Sequence, residues 1–191
     1  MKSNAFYSTI ITFILLLGVS GCANIPSHLI VAPDIMATPA IFYHNQHAQL
    51  DVIDMRTANH VVQIIRQGEA ATLVSAQERL EDTIKFNLSQ HWQKQGLSIN
   101  TSDINTIKVD IEKAVISVNQ EMLEYKVQTE IVLKVTINNG EQTLTSTFNN
   151  RGNSDGPLQA DIAVLERNFN RSLASLLQQI LANEKISNFL R

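Results

Sequence analysis

The chain has one cysteine in 191 residues. That excludes an intrachain disulfide, and it excludes the cysteine-rich zinc sites. No apolar run reaches the roughly 20 residues a membrane-spanning helix requires, and no basic cluster breaks a formal charge of −3. Nucleic acid is therefore not an expected partner, nor is adhesion to an anionic bilayer by charge alone. No Gly-rich loop opens a helix, which leaves nucleotide binding without support. The absence of a Gly-x-Ser-x-Gly elbow does the same for Ser-His-Asp hydrolysis. Internal repeats and low-complexity tracts are missing too, so the chain reads as a single domain with its core made by packing alone.

What is present begins at the N-terminus. Lys2 precedes an apolar run from Ala5 to Val19, which is interrupted by Ser8, Thr9, Thr12 and Gly18. Its length fits the h-region of a secretory signal. Small Ser20 and Gly21 then lead into the lone cysteine, so Val19-Ser20-Gly21-Cys22 resembles a bacterial lipobox, in which the thiol is acylated and cleavage falls before Cys22. A free thiol exported to an oxidising compartment would lack a partner, and lipidation removes that difficulty. The resemblance implies a signal peptide over 1–21, a lipidated N-terminus and short tether over 22–28, and a periplasmic domain over 29–191. Removing residues 1–21 takes Lys2 away and moves the formal charge to −4. Ala23, where Asp would favour retention at the inner membrane, implies sorting to the outer membrane.

The mature part carries strong period-two and period-3.6 signals. Leu29 to Pro33 reads as a short strand, and 34–47 as a loop containing His44 and His47. Leu50 to Met55 reads as a strand, followed by a hairpin of His60–Arg66 and Ala70–Val74 across Gly68. Ser75 with Glu78 three residues on has the form of a capping box. After it Leu80, Ile84, Leu88 and Trp92 line one helical face, which should stop at Gly96. Leu97 to Thr101 is a brief strand. Ile107, Val109 and Ile111 then alternate, and Ala114, Ile116 and Val118 continue one residue out of phase. This predicts a β-bulge near Glu112 or Lys113.

From Leu123 to Ile137 every odd position is apolar or Tyr or Thr, and Asn139-Gly140 marks a two-residue turn of type I′ into a strand over 142–149. Asn153-Ser154-Asp155-Gly156-Pro157 reads as a turn cluster. A last helix from about Leu158 to Ala182 carries Ile162, Leu165, Phe169, Leu173, Leu176 and Ile180 on one stripe. Ile186, Phe189 and Leu190 form a tail expected to fold back. Strands with one apolar face need a cover, and two amphipathic helices supply it. The expected fold is α+β, a mainly antiparallel sheet with both helices on one face.

The order of these pieces resembles the YajG family of bacterial outer-membrane lipoproteins. The pieces are the lipobox at Cys22, Ile30-Val31-Ala32-Pro33, Asp54-Met55-Arg56-Thr57, the helix ending at Gly96, the Asn139-Gly140 hairpin and the tail Ile186-Ser187-Asn188-Phe189-Leu190. The resemblance implies an outer-membrane lipoprotein and brings no catalytic residue with it. His44 and His47 offer two imidazoles where zinc needs three or four ligands, so no metal and no cofactor is expected. Asp54 and Arg56 share a strand face and pair, with partner recognition as their functional alternative.

The long strand outruns the neighbours assigned to it. Its end at Leu123, Tyr125 and Val127 is therefore an expected contact for a homodimer or an envelope protein. The function expected is that of a non-enzymatic accessory or scaffold lipoprotein. The alternatives are a carrier holding an apolar ligand between helices and sheet, and a periplasmic hydrolase whose site leaves no motif.

Overall fold

The computed structural model describes residues 28–36 and 43–191. Among them are eight strands in one sheet and three helices. In chain order the strands are β1 (His28–Leu29), β2 (His47–Asp54), β3 (His60–Arg66), β4 (Thr72–Ala76), β5 (Ser98–Asn100), β6 (Thr106–Gln120), β7 (Glu124–Asn138) and β8 (Thr143–Pro157). Helix α1 (Leu80–Lys94) lies between β4 and β5, and α2 (Ile162–Leu181) and α3 (Glu184–Phe189) follow β8.

The α+β class holds, but the expectation of a mainly antiparallel sheet is corrected. Four of the seven pairings are parallel, namely β1–β4, β2–β5, β2–β6 and β3–β6. Antiparallel pairing is confined to β3–β4 and to the β6–β7–β8 meander. The physical reason is that alternation tells which side of a strand is buried and nothing about its direction. Direction is set by the connection, and a parallel neighbour needs a long crossover. Here β4, α1 and β5 carry the chain back so that β6 can run beside both β2 and β3.

Those two strands lie end to end along one edge of β6. Residues 49–54 of β2 pair with 106–111, and residues 62–66 of β3 with 116–120. On the other edge β7 follows β6 over its full length, with a register shift between Ile111 and Lys113. Glu112 is the extra residue, so the bulge read from the phase change lies where expected. It returns Ala114, Ile116 and Val118 to the buried face.

One face of the sheet is covered by helices. Helix α1 packs on β2 and β5, α2 on β7 and β8, and the two helices touch each other. The predicted faces are the buried ones: Leu80, Ile84, Leu88 and Trp92 on α1, and Leu165, Phe169, Leu173, Leu176 and Ile180 on α2. His91 is buried beside that core. Asp161 caps α2 by accepting from the Ala163 N–H at 2.8 Å. The tail folds back as α3, burying Ile186 and Leu190.

Four local expectations are corrected. Ser75 does not cap α1: it lies in β4 beside His28 of β1, the Gln77 N–H donates to the Leu29 carbonyl, and the helix begins after Arg79. Ladder pairing to an incoming strand outweighs one capping box. The Asn153–Pro157 cluster is the end of β8, paired residue by residue with Gln128–Glu124. The final helix starts at Ile162, because Leu158 takes a φ of +65° and breaks the path from strand to helix.

The Asn139-Gly140 hairpin forms with a different turn. The Asn139 N–H donates to the Gln142 carbonyl at 3.2 Å, so Gly140 and Glu141 are the central pair. Gly140 has φ +90° and is the only one of the two with a positive value, so the turn is not the expected type I′, in which both central residues are positive.

Candidate functional site

The break between β2 and β3 leaves part of the β6 edge without a strand partner, and Arg56 fills it. Its Nη1 donates to the Ala114 carbonyl at 3.0 Å and to the His60 carbonyl at 3.2 Å. Its Nη2 and Nε reach Asp54 at 2.7 and 2.9 Å. The guanidinium thus replaces missing ladder hydrogen bonds with a rigid fork. Both side chains are largely buried, 8% exposed for Arg56 and 14% for Asp54. Burial alone would raise the Asp54 carboxyl, but the hydrogen bonds and charge of Arg56 outweigh it and hold the group below the usual carboxylate range. The Asp54–Arg56 pair of the sequence reading is therefore formed, and its polar atoms are turned inward.

The second expected cluster is divided. β7 is paired on both edges as far as its first turn, Tyr125 with Gln120 on one side and with Gly156 on the other. The premise that this end lacks strand partners is thus corrected, the reason being that β8 runs on to Pro157. Val127 is buried and Tyr125 packs against the core, while Leu123 is exposed in the β6–β7 turn. Tyr125 lies over Gly156, where a Cβ would stand 2.6 Å from its Oη. Cys22 lies outside the described residues. His47 is placed with Nδ1 3.7 Å from Asp103 Oδ2.

What sequence reasoning did not single out is the opposite face of the sheet. Across the half of β3, β6, β7 and β8 nearer the β6–β7 turn the outward residues line a groove of about 590 Å³, including Ile65, Asn119, Lys126, Gln128, Asn153 and Asp155. The lining is mixed: three amides, Ser117 and Ser154, apolar Ile65 and Val127, and one charge of each sign in Lys126 and Asp155. Beside it Gln63 Nε2 donates to Ser117 Oγ at 2.7 Å. Further along the same face Glu130 bridges two strands, accepting from Lys113 Nζ at 2.9 Å and from Arg151 Nε at 3.0 Å. Those two hydrogen bonds hold the Glu130 carboxyl below its ordinary value. The groove ends at β8, a fifteen-residue strand that among the described residues pairs with β7 alone and whose residues 149–157 are nearly all exposed. The signal for this surface was the polar set at even positions of β7, which reads equally well as ordinary solvated strand.

Among the described residues no helix is long and apolar enough to cross a membrane. Residues 33–191 match the model of the family described as "Uncharacterized lipoprotein" (Lipoprotein_16). The chain belongs to that family, the YajG-type lipoproteins. No curated protein matches the sequence. Among solved structures the chain is similar to protein XCC0632 from Xanthomonas campestris, with a TM-score of 0.60 at 10% identity over 86% of this chain and 97% of that one. That likeness shows the fold. Weaker likenesses are to a putative neuraminyllactose-binding hemagglutinin homolog from Helicobacter pylori (TM-score 0.47, 9% identity, 85% and 96% covered) and to a minor lipoprotein from Acinetobacter baumannii (0.33, 7%, 80% and 92%). Neither adds to the argument.

Proposed function

We propose that this lipoprotein is a non-enzymatic accessory protein of the cell envelope, held by acyl chains on Cys22 at the outer membrane, that docks an envelope protein on its open sheet face. The observation that carries the reading is β8. An edge strand of fifteen residues presents a row of backbone donors and acceptors, which is the element used when a partner segment adds to a sheet. The adjoining groove, lined by amide, hydroxyl, apolar and oppositely charged side chains, would take side chains from such a segment. Its mixed, low charge suits a polar polypeptide better than a polyanion. The helix-covered face supports this division of labour, since its side chains are committed to the core.

The test is a photo-crosslinking residue at Asn153, on β8 and in the groove, in cells with intact envelopes. A discrete adduct with one envelope protein is expected there, and none with the same residue at exposed Phe86 on α1. Equal labelling at both positions, or no adduct at Asn153, would sink the docking reading.

A further inference from the structure

The exposed apolar residues at one end of the molecule belong together. The β6–β7 turn and the β8–α2 corner meet there, with Met122 92% exposed, Leu123 72% and Leu158 66%. They are not loosely held. The Leu158 N–H donates to the Leu123 carbonyl at 2.9 Å, and Gln120 Nε2 donates to the Leu158 carbonyl at 2.6 Å. Gln120 Oε1 meanwhile accepts from the Ala160 N–H at 3.1 Å. Leu158 is thereby kept at φ +65°, a left-handed conformation that a non-glycine residue rarely adopts. This corner holds three large apolar side chains out in solvent close together, and an exposed apolar patch marks a contact surface.

The direction of the chain says what meets it. β1 runs parallel to β4, and β4 runs away from the β3–β4 turn, which lies at the same end as Gln120 and Met122. Beyond β1 the segment continues in that direction along α2, the Ile30 N–H donating to Glu166 and the Ala32 N–H to Asn170, each at 2.9 Å. β1 therefore begins on the side of the Met122 end and runs away from it. His28 lies level with Ser75 and His60, and from His60 to Arg66, beside Gln120, is six residues or about 20 Å of strand. From Cys22 to His28 is also six residues, again about 20 Å when extended. The opposite end, at Thr106 and Asn138, lies beyond that reach and in the wrong direction.

We infer that Met122, Leu123 and Leu158 insert into the interfacial layer of the bilayer that holds the acyl chains, so that the domain stands on the membrane by this tip with its groove face sideways. This rests on Cys22 being the lipid anchor. Flanking Arg66, Glu69, Glu121 and Glu124 are of mixed sign, so apolar burial and not charge would drive the contact.

The lone cysteine makes the test clean. The mature wild-type protein should take up no thiol-reactive dye, because the lipid occupies Cys22. If it does react, the anchor reading fails independently of the tip. With that control in hand, Met122→Cys and Glu141→Cys each offer one site for an environment-sensitive dye, the second in the turn at the far end. Each full-length lipidated protein is then placed in vesicles of phosphatidylethanolamine and phosphatidylglycerol. At position 122 aqueous iodide should quench at least about threefold less than at 141, with strong quenching by nitroxide-bearing lipid, as expected for side chains a few ångström into the interface. Equal iodide quenching at the two sites would overturn the proposal. So would shielding at 122 without nitroxide quenching, which would mean another protein copy covers the tip.

Discussion

Arg56 Nη1 donates to the Ala114 carbonyl at 3.0 Å, joining the β2–β3 connection to β6 at the level where neither strand reaches it. Replacing Arg56 with Met keeps much of the length and removes every side-chain donor. The Ala114 carbonyl then loses a partner, and Asp54 becomes a largely buried carboxylate without its counter-ion, keeping only the Arg56 backbone N–H at 3.1 Å. The expected loss is about 3 kcal/mol, the lower end for breaking a buried ion pair. It should appear as a lower denaturant midpoint at unchanged slope. A loss under about 0.5 kcal/mol, the ordinary surface range, would show that the gap is held by other contacts.

Acid should weaken the same junction. The Asp54 carboxyl is held below its usual range, so the unfolded chain binds its proton first as pH falls. The stabilisation is complete above the unfolded value of about 4 and is lost as pH drops through the lower folded value. Melting temperatures at pH 7 and pH 3 should differ less in Asp54→Asn than in wild type. An identical drop in both would assign the acid sensitivity to other carboxylates.

Tyr125 and Gly156 form a coupled pair. A side chain at 156 would occupy the space of the Tyr125 ring, so Gly156→Val should cost about 1–3 kcal/mol by overpacking. In Tyr125→Ala the same change should cost far less, and the double-mutant cycle should give a coupling above about 0.5 kcal/mol. Additive effects would mean the ring moves aside freely.

How far the sequence could be read follows from what each pattern reports. Leu80, Ile84, Leu88 and Trp92 recur with one face, and a face is what burial needs, so α1 was legible. The phase slip across Glu112 was legible for the same reason. Ser75 was misread because its partner, His28, is 47 positions away and no local pattern encodes that pairing. Asn153–Gly156 has turn composition, yet a glycine in an edge strand is tolerated where a cross-strand aromatic covers it. Strand direction in β2, β3 and β6 was not legible at all. Asp54 and Arg56 pair as expected and are turned inward, while Tyr125 and Val127, expected to face a partner, turn toward the core, because residue type cannot tell which face of a strand the helices will take.

The Gly140 turn offers a test of the hairpin itself. Its φ of +90° excludes branched side chains, and a Cβ there would lie 3.0 Å from Ile104 Cγ2. Gly140→Val should therefore destabilise by about 1–3 kcal/mol. Asn139 supports the turn by accepting from the Glu141 and Gln142 N–H groups at 3.1 and 2.8 Å, so Asn139→Ala should act in the same direction with a smaller effect, about 1 kcal/mol. An unchanged midpoint in both would show that the end of the hairpin frays in solution.

The anchor is tested most directly at Cys22. The chain has no second thiol, so nothing else in it can accept a lipid through sulfur. Serine keeps the size of the side chain and removes that chemistry. Cys22→Ser should therefore leave the protein as an uncleaved precursor, or release it as a soluble domain. In either form, stable anchoring by more than one acyl chain, each contributing about 0.8 kcal/mol per buried CH₂, is lost. Sedimentation of membranes after separation of inner from outer fractions is the measurement. Wild type is expected in the outer-membrane fraction. A Cys22→Ser protein that sedimented there as fully as wild type would show that the domain is retained by its contacts and not by a lipid.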